Sequence, residues 1–303
     1  HAEFNALNKN ISFKDSKIYL TLEPCTHFGK TPPCIDLIKR KKIKQVYYCY
    51  DDPDLRTFKK AKKILKKRIK KIKISKKNLD FYKSYYLDKI KQLPLIDAKI
   101  AFSKDNFTIS RKSKWITNRR SRKVVHLIRS KYDCVISTSK TINKDNSLLN
   151  CRLEGFDNYK PDLVIIDRNL NLKKKLKLFN ISNKRKTYIV TTSKNTKKIS
   201  FFKFKKIKVI QLTSLKYKKD FDLLFQILFQ IGKRRLLIES GLIFLKTIIN
   251  LKLLNHLYIF KSDLKLKKNG HNNIKMTGIS KLSNSKKIRI NLNNEKLYKV
   301  KIK

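Results

Sequence analysis

Glycine and proline occur six times each in 303 residues, methionine and tryptophan once each, and 22 acidic side chains face 76 lysines and arginines. The formal net charge of +54 would ordinarily point to nucleic acid. Yet lysine, asparagine and isoleucine run from end to end while glycine and proline dwindle, which indicates drift toward A/T-rich codons rather than a selected basic groove. An interleaved aromatic motif of the kind an RNA-binding sheet needs is absent as well, so a nucleic-acid partner is not expected. The cysteines are only five, an odd number, which argues against a disulfide scaffold and for a reducing, cytoplasmic setting. No charged-then-apolar leader opens the sequence. The most apolar stretch, GLIFLKTIINLKLLNHLYIF, is broken by Lys246, Lys252 and His256, short of the ~18 apolar residues of a membrane span.

What is present suffices for folding. Hydrophobic residues make up 41% and aromatics 10%, enough for cores, and the length favours two domains. KIYLTLEPC alternates and then turns at Pro24, as a strand delivering a cysteine at its end would. Pro33 ahead of Cys34 suits a helix start, IDLIKRKKI carries apolar residues at helical spacing, and QVYYCY reads as a buried strand before the turn DDPD. Strand, helix, strand implies a parallel α/β layer. Residues 56–77 are nearly all lysine between Ala61, Ile64, Leu65 and Ile69, which predicts a surface helix, followed by an edge strand where Ile72 and Ile74 alternate. The register resets around Gln92 and Pro94, dividing the chain into 1–91 and 92–303. Beyond it, LIDAKIAFS, DCVISTS, PDLVIID, KTYIVTTS, KIKVIQL, RRLLIES and HLYIFKS read as strands. Helical stretches alternate with them, giving a second α/β domain with a mostly parallel sheet.

The chemistry concentrates near the start. H-x-E at residues 1–3, then P-C at 24–25 and a further cysteine at 34, has the order of a zinc-deaminase signature. In that reading His1, Cys25 and Cys34 hold Zn²⁺ and leave a position for water, while Glu3 moves protons as general acid and base. Taken alone, H-x-E and two cysteines with eight residues between them read equally well as a chance arrangement.

LEPCTHFGKTPPC as a whole, together with HAE, resembles the bifunctional riboflavin-biosynthesis protein, a pyrimidine deaminase fused to a reductase. The resemblance extends over nearly the whole chain. It implies a truncated cytidine-deaminase-like α/β domain followed by a dihydrofolate-reductase-like α/β domain. By it, His1, Cys25 and Cys34 are zinc ligands, Glu3 is the proton shuttle, and His27 is a loop residue rather than a fourth ligand. In the second half, SKWIT suggests Ser113 as a substrate contact and Trp115 as a cofactor contact. LIRSKYDCVISTSKTINKDNSLLNCR suggests Arg129, Leu149 and Arg152 for substrate and Thr141 and Asp145 for NADPH; IESG suggests Glu239 for substrate and Gly241 for cofactor phosphate. Elementary chemistry agrees: arginine forks match phosphate oxygens, and a glycine between strand and helix can open an anion-binding helix end.

Without that family in view, Trp115 would read as core filler, Asp145 as a turn cap, Glu239 as a salt-bridged strand end, and His126 and His256 as packed or surface residues. The chain also departs from the family pattern. Asn106 replaces a glycine in SKDN, Asp145-Asn146-Ser147 replaces D-D-P, and glycines expected after Asp52-Pro53 are missing. The chain opens on histidine, so the family's first helix, first strands and asparagine-bearing substrate loop are expected upstream.

The resulting expectation is a soluble, cytoplasmic, homo-oligomeric enzyme of riboflavin synthesis acting on phosphorylated pyrimidines. It would deaminate 2,5-diamino-6-(5-phosphoribosylamino)pyrimidin-4-one, then reduce the ribosyl group of 5-amino-6-(5-phosphoribosylamino)uracil with NADPH. The alternatives are a reductase with a decaying deaminase half and a basic nucleic-acid deaminase or binding protein.

Overall fold

Alternating apolar side chains in KIYLTL and QVYYCY make β1 (Lys17–Leu22) and β2 (Gln45–Tyr50), which pair in parallel with Ile18 opposite Val46. These strands belong to a computed structural model that describes residues 1–73, 79–157, 160–279, 282 and 287–302. Clustering of the chain gives two units, His1–Gln92 and Leu93–Lys303.

The first unit is a parallel sheet in the order β1-β2-β3, where β3 is Ile69–Lys71. Its helices are α1 (Ala2–Leu7), α2 (Cys34–Arg40), α3 (Lys60–Leu65) and α4 (Leu79–Tyr86), the last running into a π turn over Leu87–Lys91. Leu7 of α1, Ile35 and Ile38 of α2, and Ala61 and Leu65 of α3 bury against Val46 and Ile69. The lysine-rich stretch departs from its expected layout. Only Ala61 and Leu65, one helical turn apart, offer α3 a buried stripe; the helix stops at Lys66 (φ 50°), and Ile69 becomes the buried strand residue paired with Val46. The strand therefore precedes Ile72, and Ile74 lies outside the described residues.

In the second unit, the β-branched runs LIDAKIAF, CVIST, DLVII, TYIVT, KVIQ, RLLI and HLYIFK form β4 (Leu95–Phe102), β6 (Cys134–Thr138), β7 (Asp162–Ile166), β8 (Thr187–Thr191), β9 (Lys208–Gln211), β10 (Arg235–Ile238) and β11 (His256–Lys261). With β13 (Lys296–Lys301) they make one sheet, β13-β11-β4-β10-β6-β7-β8-β9. All neighbours in it are parallel except β11 and β13. A separate antiparallel pair joins β5 (Phe107–Ser110) to β12 (Gly270–Asn273), where a side chain at Gly270 would collide with the Phe107 ring.

Period-two alternation along buried strands supplies two apolar faces. On one, Ile96, Ile136, Val164 and Leu236 meet α8 (Lys218–Gln230) and α9 (Leu242–Asn250) through Phe221, Leu224 and Leu245. On the other, Val135, Leu163, Ile165 and Leu237 meet α5 (Arg119–Arg129), α6 (Ser139–Asp145) and α7 (Thr196–Phe204) through Val125, Ile128, Ile142 and Phe202. From β6 the chain steps outward through β7, β8 and β9, then returns to insert β10 between β4 and β6. Open α/β sheets bind ligands beyond the carboxyl ends of their strands at such a reversal.

Scarcity of glycine leaves its mark on the turns. Asn106 (φ 72°) and Asn146 (φ 43°) take left-handed conformations, and so do Lys42, Lys59, Lys66, Lys206, Lys252 and Lys267. Among the described residues all five cysteines are free, and no helix is long and apolar enough to cross a membrane.

Candidate functional site

In the first unit, β1 ends at Leu22 and the chain turns through Glu23 and Pro24 into Cys25. Cys34 is the first residue of α2, and the Ile35 N–H donates to the Cys25 carbonyl (3.2 Å), closing the loop between the cysteines. His1 caps the start of α1, which packs on α2 through Leu7. The outcome is convergence: His1 Nδ1 lies 3.2 Å from Cys34 Sγ and 3.4 Å from Cys25 Sγ, and candidate ligand atoms of the three residues fall within 4.8 Å of one another. Both cysteines are buried. The Cys34 thiol and then the Cys34 N–H (3.1 Å) stabilise a thiolate on Cys25, pulling it down to about 6, while Cys34 is pushed up as the partner that keeps its proton. Two sulfurs and an imidazole are the donor set suited to Zn²⁺. The Glu3 carboxylate, in the first turn of α1, bears on Cys34, its negative charge helping to push that thiol up.

Glu23, two residues ahead of Cys25, performs a task that the motif reading does not identify. It is 2% exposed and accepts backbone N–H groups from Asp52 (3.3 Å), Lys59 (3.0 Å) and Ala61 (3.1 Å), pinning the cysteine loop to the chain that leads into α3. His27 points elsewhere, with Nδ1 at 2.9 Å from Thr57 Oγ1, and is not among the three converging residues.

In the second unit the carboxyl ends of β4, β6 and β10 gather most of the expected residues. Glu239, just past β10, receives Arg129 Nε on Oε1 (2.5 Å) and Nη2 on Oε2 (3.0 Å), and Lys99 Nζ stands 3.4 Å from that same Oε2. Burial alone would push the Glu239 carboxyl up, but the charges of Arg129 and Lys99 outweigh it and hold it down at about 2. The structure bears out the reading of Glu239 as a salt-bridged strand end. Lys99 was not legible among so many lysines; its position on β4 opposite Tyr258 of β11, facing Glu239, emerges only from the sheet.

Arg129 Nη1 also donates to the Asn150 carbonyl (3.1 Å), and Arg152 Nη1 to Asn150 Oδ1 (2.8 Å), so the two arginines share one loop residue as a brace. That loop is tied from behind by Arg185, 2% exposed, whose guanidinium donates to the carbonyls of Leu148, Leu149 (3.1 Å), Pro161 (2.6 Å) and Asp162 (3.4 Å). Burial lowers Arg185 to about 10. Leu149 itself is buried with φ 51°.

Thr141 and Gly241 meet directly. The Gly241 N–H donates to Thr141 Oγ1 (3.1 Å), which also lies 3.1 Å from Thr138 Oγ1, the cap of α6. Gly241 is the N-cap of α9 with φ −64°, so an available N-terminal face, not a left-handed backbone, is what it contributes. Asp145 closes α6 without acting as a turn cap. Surrounding protein pushes its carboxyl up, against the pull of Lys144, Lys114 and Lys99. Ser113 Oγ donates to the Trp115 carbonyl (3.0 Å) and accepts its N–H (3.2 Å). Trp115 is 50% exposed, with the Arg122 guanidinium 4.8 Å from its ring centroid, and is therefore no core residue. Ser113 and Trp115 form one exposed turn, and among the described contacts no hydrogen bond or ion pair joins them to Glu239.

Comparison with known proteins adds context. Residues 95–263 match the family described as RibD C-terminal domain. The riboflavin biosynthesis protein RibD of Aquifex aeolicus is 32% identical over 230 residues, covering 72% of this chain and 62% of the relative. A diaminohydroxyphosphoribosylamino-pyrimidine deaminase of Buchnera aphidicola subsp. Schizaphis graminum is 42% identical over 90 residues, 28% of this chain and 61% of the relative. The structure superposes on Acinetobacter baumannii RibD with a TM-score of 0.78 at 22% identity, covering 99% of this chain and 85% of that one. The chain spans 62%, 42% and 66% of the length of the curated relatives it matches first.

Proposed function

This chain belongs to the RibD family of riboflavin biosynthesis proteins, and from that membership we propose that it carries out both a zinc-dependent pyrimidine deamination and a nicotinamide-dependent reduction. The observation that carries the two-activity reading is the convergence of His1, Cys25 and Cys34 on a chain whose residues 95–263 are a RibD reductase domain.

For the first step, the substrate is 2,5-diamino-6-(5-phosphoribosylamino)pyrimidin-4-one. His1, Cys25 and Cys34 would hold Zn²⁺, which when bound supplies Lewis acidity toward water. Glu3 is the proton carrier: a carboxylate beside the cysteines can take a proton from attacking water and return it to the departing amine. Glu23 keeps the cysteine loop fixed while this happens, because its oxygens are fully used by backbone N–H groups.

For the second step, the substrate is 5-amino-6-(5-phosphoribosylamino)uracil. NADPH, when bound, would supply a hydride to the ribosyl C1′, whose bond to the ring oxygen breaks as that oxygen gains a proton, opening the sugar to a ribityl chain. Arg129 and Arg152 bind the 5′-phosphate, with Asn150 spacing their guanidinium groups and Leu149 beside them. Glu239, ionised throughout the working pH range, accepts hydrogen bonds from substrate, and Lys99 beside it donates. Thr141, Asp145 and Gly241 lie on the cofactor side, the exposed start of α9 facing its phosphates, and Trp115 offers a ring at the exposed edge.

The direct experiment supplies purified full chain with the diaminopyrimidinone substrate and NADPH and follows ammonia release and absorbance at the cofactor band. Ammonia release that precedes NADPH consumption supports both steps; NADPH consumption only when the deaminated intermediate is provided would leave the reductase alone.

A further inference from the structure

His126 stands one helical turn before Arg129 on α5, and its ring meets Arg152 of the facing loop, the other arginine assigned to phosphate. Its Nδ1 lies 3.0 Å from the Asn150 carbonyl and its Nε2 3.4 Å from Arg152 Nη2. Nδ1 also faces the Arg152 backbone N–H at 3.1 Å, so donors of Arg152 reach both ring nitrogens while the Asn150 carbonyl asks Nδ1 for a hydrogen, and neither neutral tautomer satisfies all three. A neutral imidazole beside these two arginines is an acceptor lodged where an incoming anion needs donors. The charged groups that bear on it are Arg129 from its own helix, Arg152 from the facing loop and Glu239 from the end of β10. Glu239 is already engaged by Arg129 and Lys99, so the balance around the empty ring is cationic.

We infer that His126 is the third member of the anion site formed with Arg129 and Arg152, and that it holds a phosphate monoester as the imidazolium, drawing one proton from solvent as the ligand enters. This rests on the reading of the arginine pair as the phosphate site. Electrostatics supplies the coupling. Burial, then Arg129 and Arg152, hold the free histidine down at about 4, and a dianion placed between the arginines offsets both cations and reverses the sign of their effect. As the imidazolium the ring gives Nε2–H to a phosphate oxygen and Nδ1–H to the Asn150 carbonyl, and the Arg152 backbone N–H is released from Nδ1.

The test uses full-length chain carrying ¹³C-labelled histidine, with ribose 5-phosphate as the probe. His126→Gln, with His126→Asn as a second variant should the first fold poorly, assigns the resonance among the five histidines. Free protein should keep His126 neutral through the physiological range, and saturating probe should raise its midpoint by about three pH units, from about 4 to roughly 7. The ratio of wild-type to variant affinity, in which the probe's own ionisation cancels, should be roughly tenfold near pH 6 and approach unity above pH 8, as for loss of one charge-assisted hydrogen bond. Saturable binding with an unmoved His126 resonance would overturn the proton linkage and leave the arginine pair standing. Absence of saturable binding would overturn the linkage and the phosphate assignment together.

Discussion

Arg129 and Glu239, 110 positions apart in sequence, meet as a bidentate pair with nitrogen-to-oxygen distances of 2.5 and 3.0 Å, both side chains almost wholly buried. The pair fixes the end of α5 against the end of β10, and Lys99 completes it from β4. Removing one partner strands a buried charge, a loss of about 3–5 kcal/mol. Glu239→Gln should therefore shift the denaturation midpoint strongly as well as abolish reduction. The pH dependence has a definite sign. The folded carboxyl titrates at about 2, below the unfolded value of about 4.3, so its contribution is complete above the unfolded value and disappears as pH falls through the folded one. The stability gap between wild type and Glu239→Gln, followed by denaturant titration, should narrow between about pH 4.5 and pH 2.

At the other site, metal content and turnover should separate. Purified protein should carry about one zinc per chain by elemental analysis, and Cys34→Ser should lose most of it. Glu3→Gln should keep the metal yet lower ammonia release by on the order of 10²–10⁴. Equal turnover in Glu3→Gln and wild type would remove Glu3 from the reaction.

Arg185 touches no proposed ligand, but four carbonyls depend on it. Arg185→Met would leave them buried without donors, at about 1–3 kcal/mol for each that finds no water. The expected phenotype is a marked drop in melting temperature and a raised KM for the phosphorylated substrate, since the loop of Leu149, Asn150 and Arg152 would lose its tether. Arg185→Lys should recover only part of either quantity, because one ammonium cannot reach carbonyls spread along a planar fork.

Gly241 gives the opposite contrast. Its φ of −64° suits any residue, and an added methyl would sit 3.7 Å from Thr141 Oγ1, an ordinary contact. Gly241→Ala should fold with wild-type stability. If the start of α9 faces the cofactor phosphates, the same methyl should raise the KM for NADPH several-fold while the KM for the pyrimidine stays put; an unchanged KM for NADPH would place the phosphates elsewhere.

The seven strand segments predicted for the second unit are strands in the structure because their apolar runs are long, β-branched and bounded by polar turns. The converging histidine and cysteines were legible because a metal site needs specific donor types, which survive when the surrounding sequence drifts. What stayed hidden follows from the same composition. Lys99 and Arg185 do particular tasks, yet each is one cation among 76, and only the burial of Arg185 and the approach of Lys99 to Glu239 distinguish them. Strand β13, KLYKVK, is short and half lysine, its alternation broken where Leu297 meets Tyr298, so nothing in it announces an antiparallel partner for β11. Glu23 was invisible for another reason: a carboxylate that serves backbone N–H groups leaves no pattern in side-chain spacing.

The lysines at 42, 59, 66, 206, 252 and 267 hold a backbone shape that a Cβ atom opposes, at roughly 1–2 kcal/mol apiece. Their burden accumulates quietly, because none alone would unfold the molecule; Lys59 alone among them also gives its N–H to Glu23 behind the cysteine loop. A version with glycine placed at several of the other corners should tolerate heat better without any change in what it makes, which would trace part of the molecule's heat sensitivity to composition rather than chemistry.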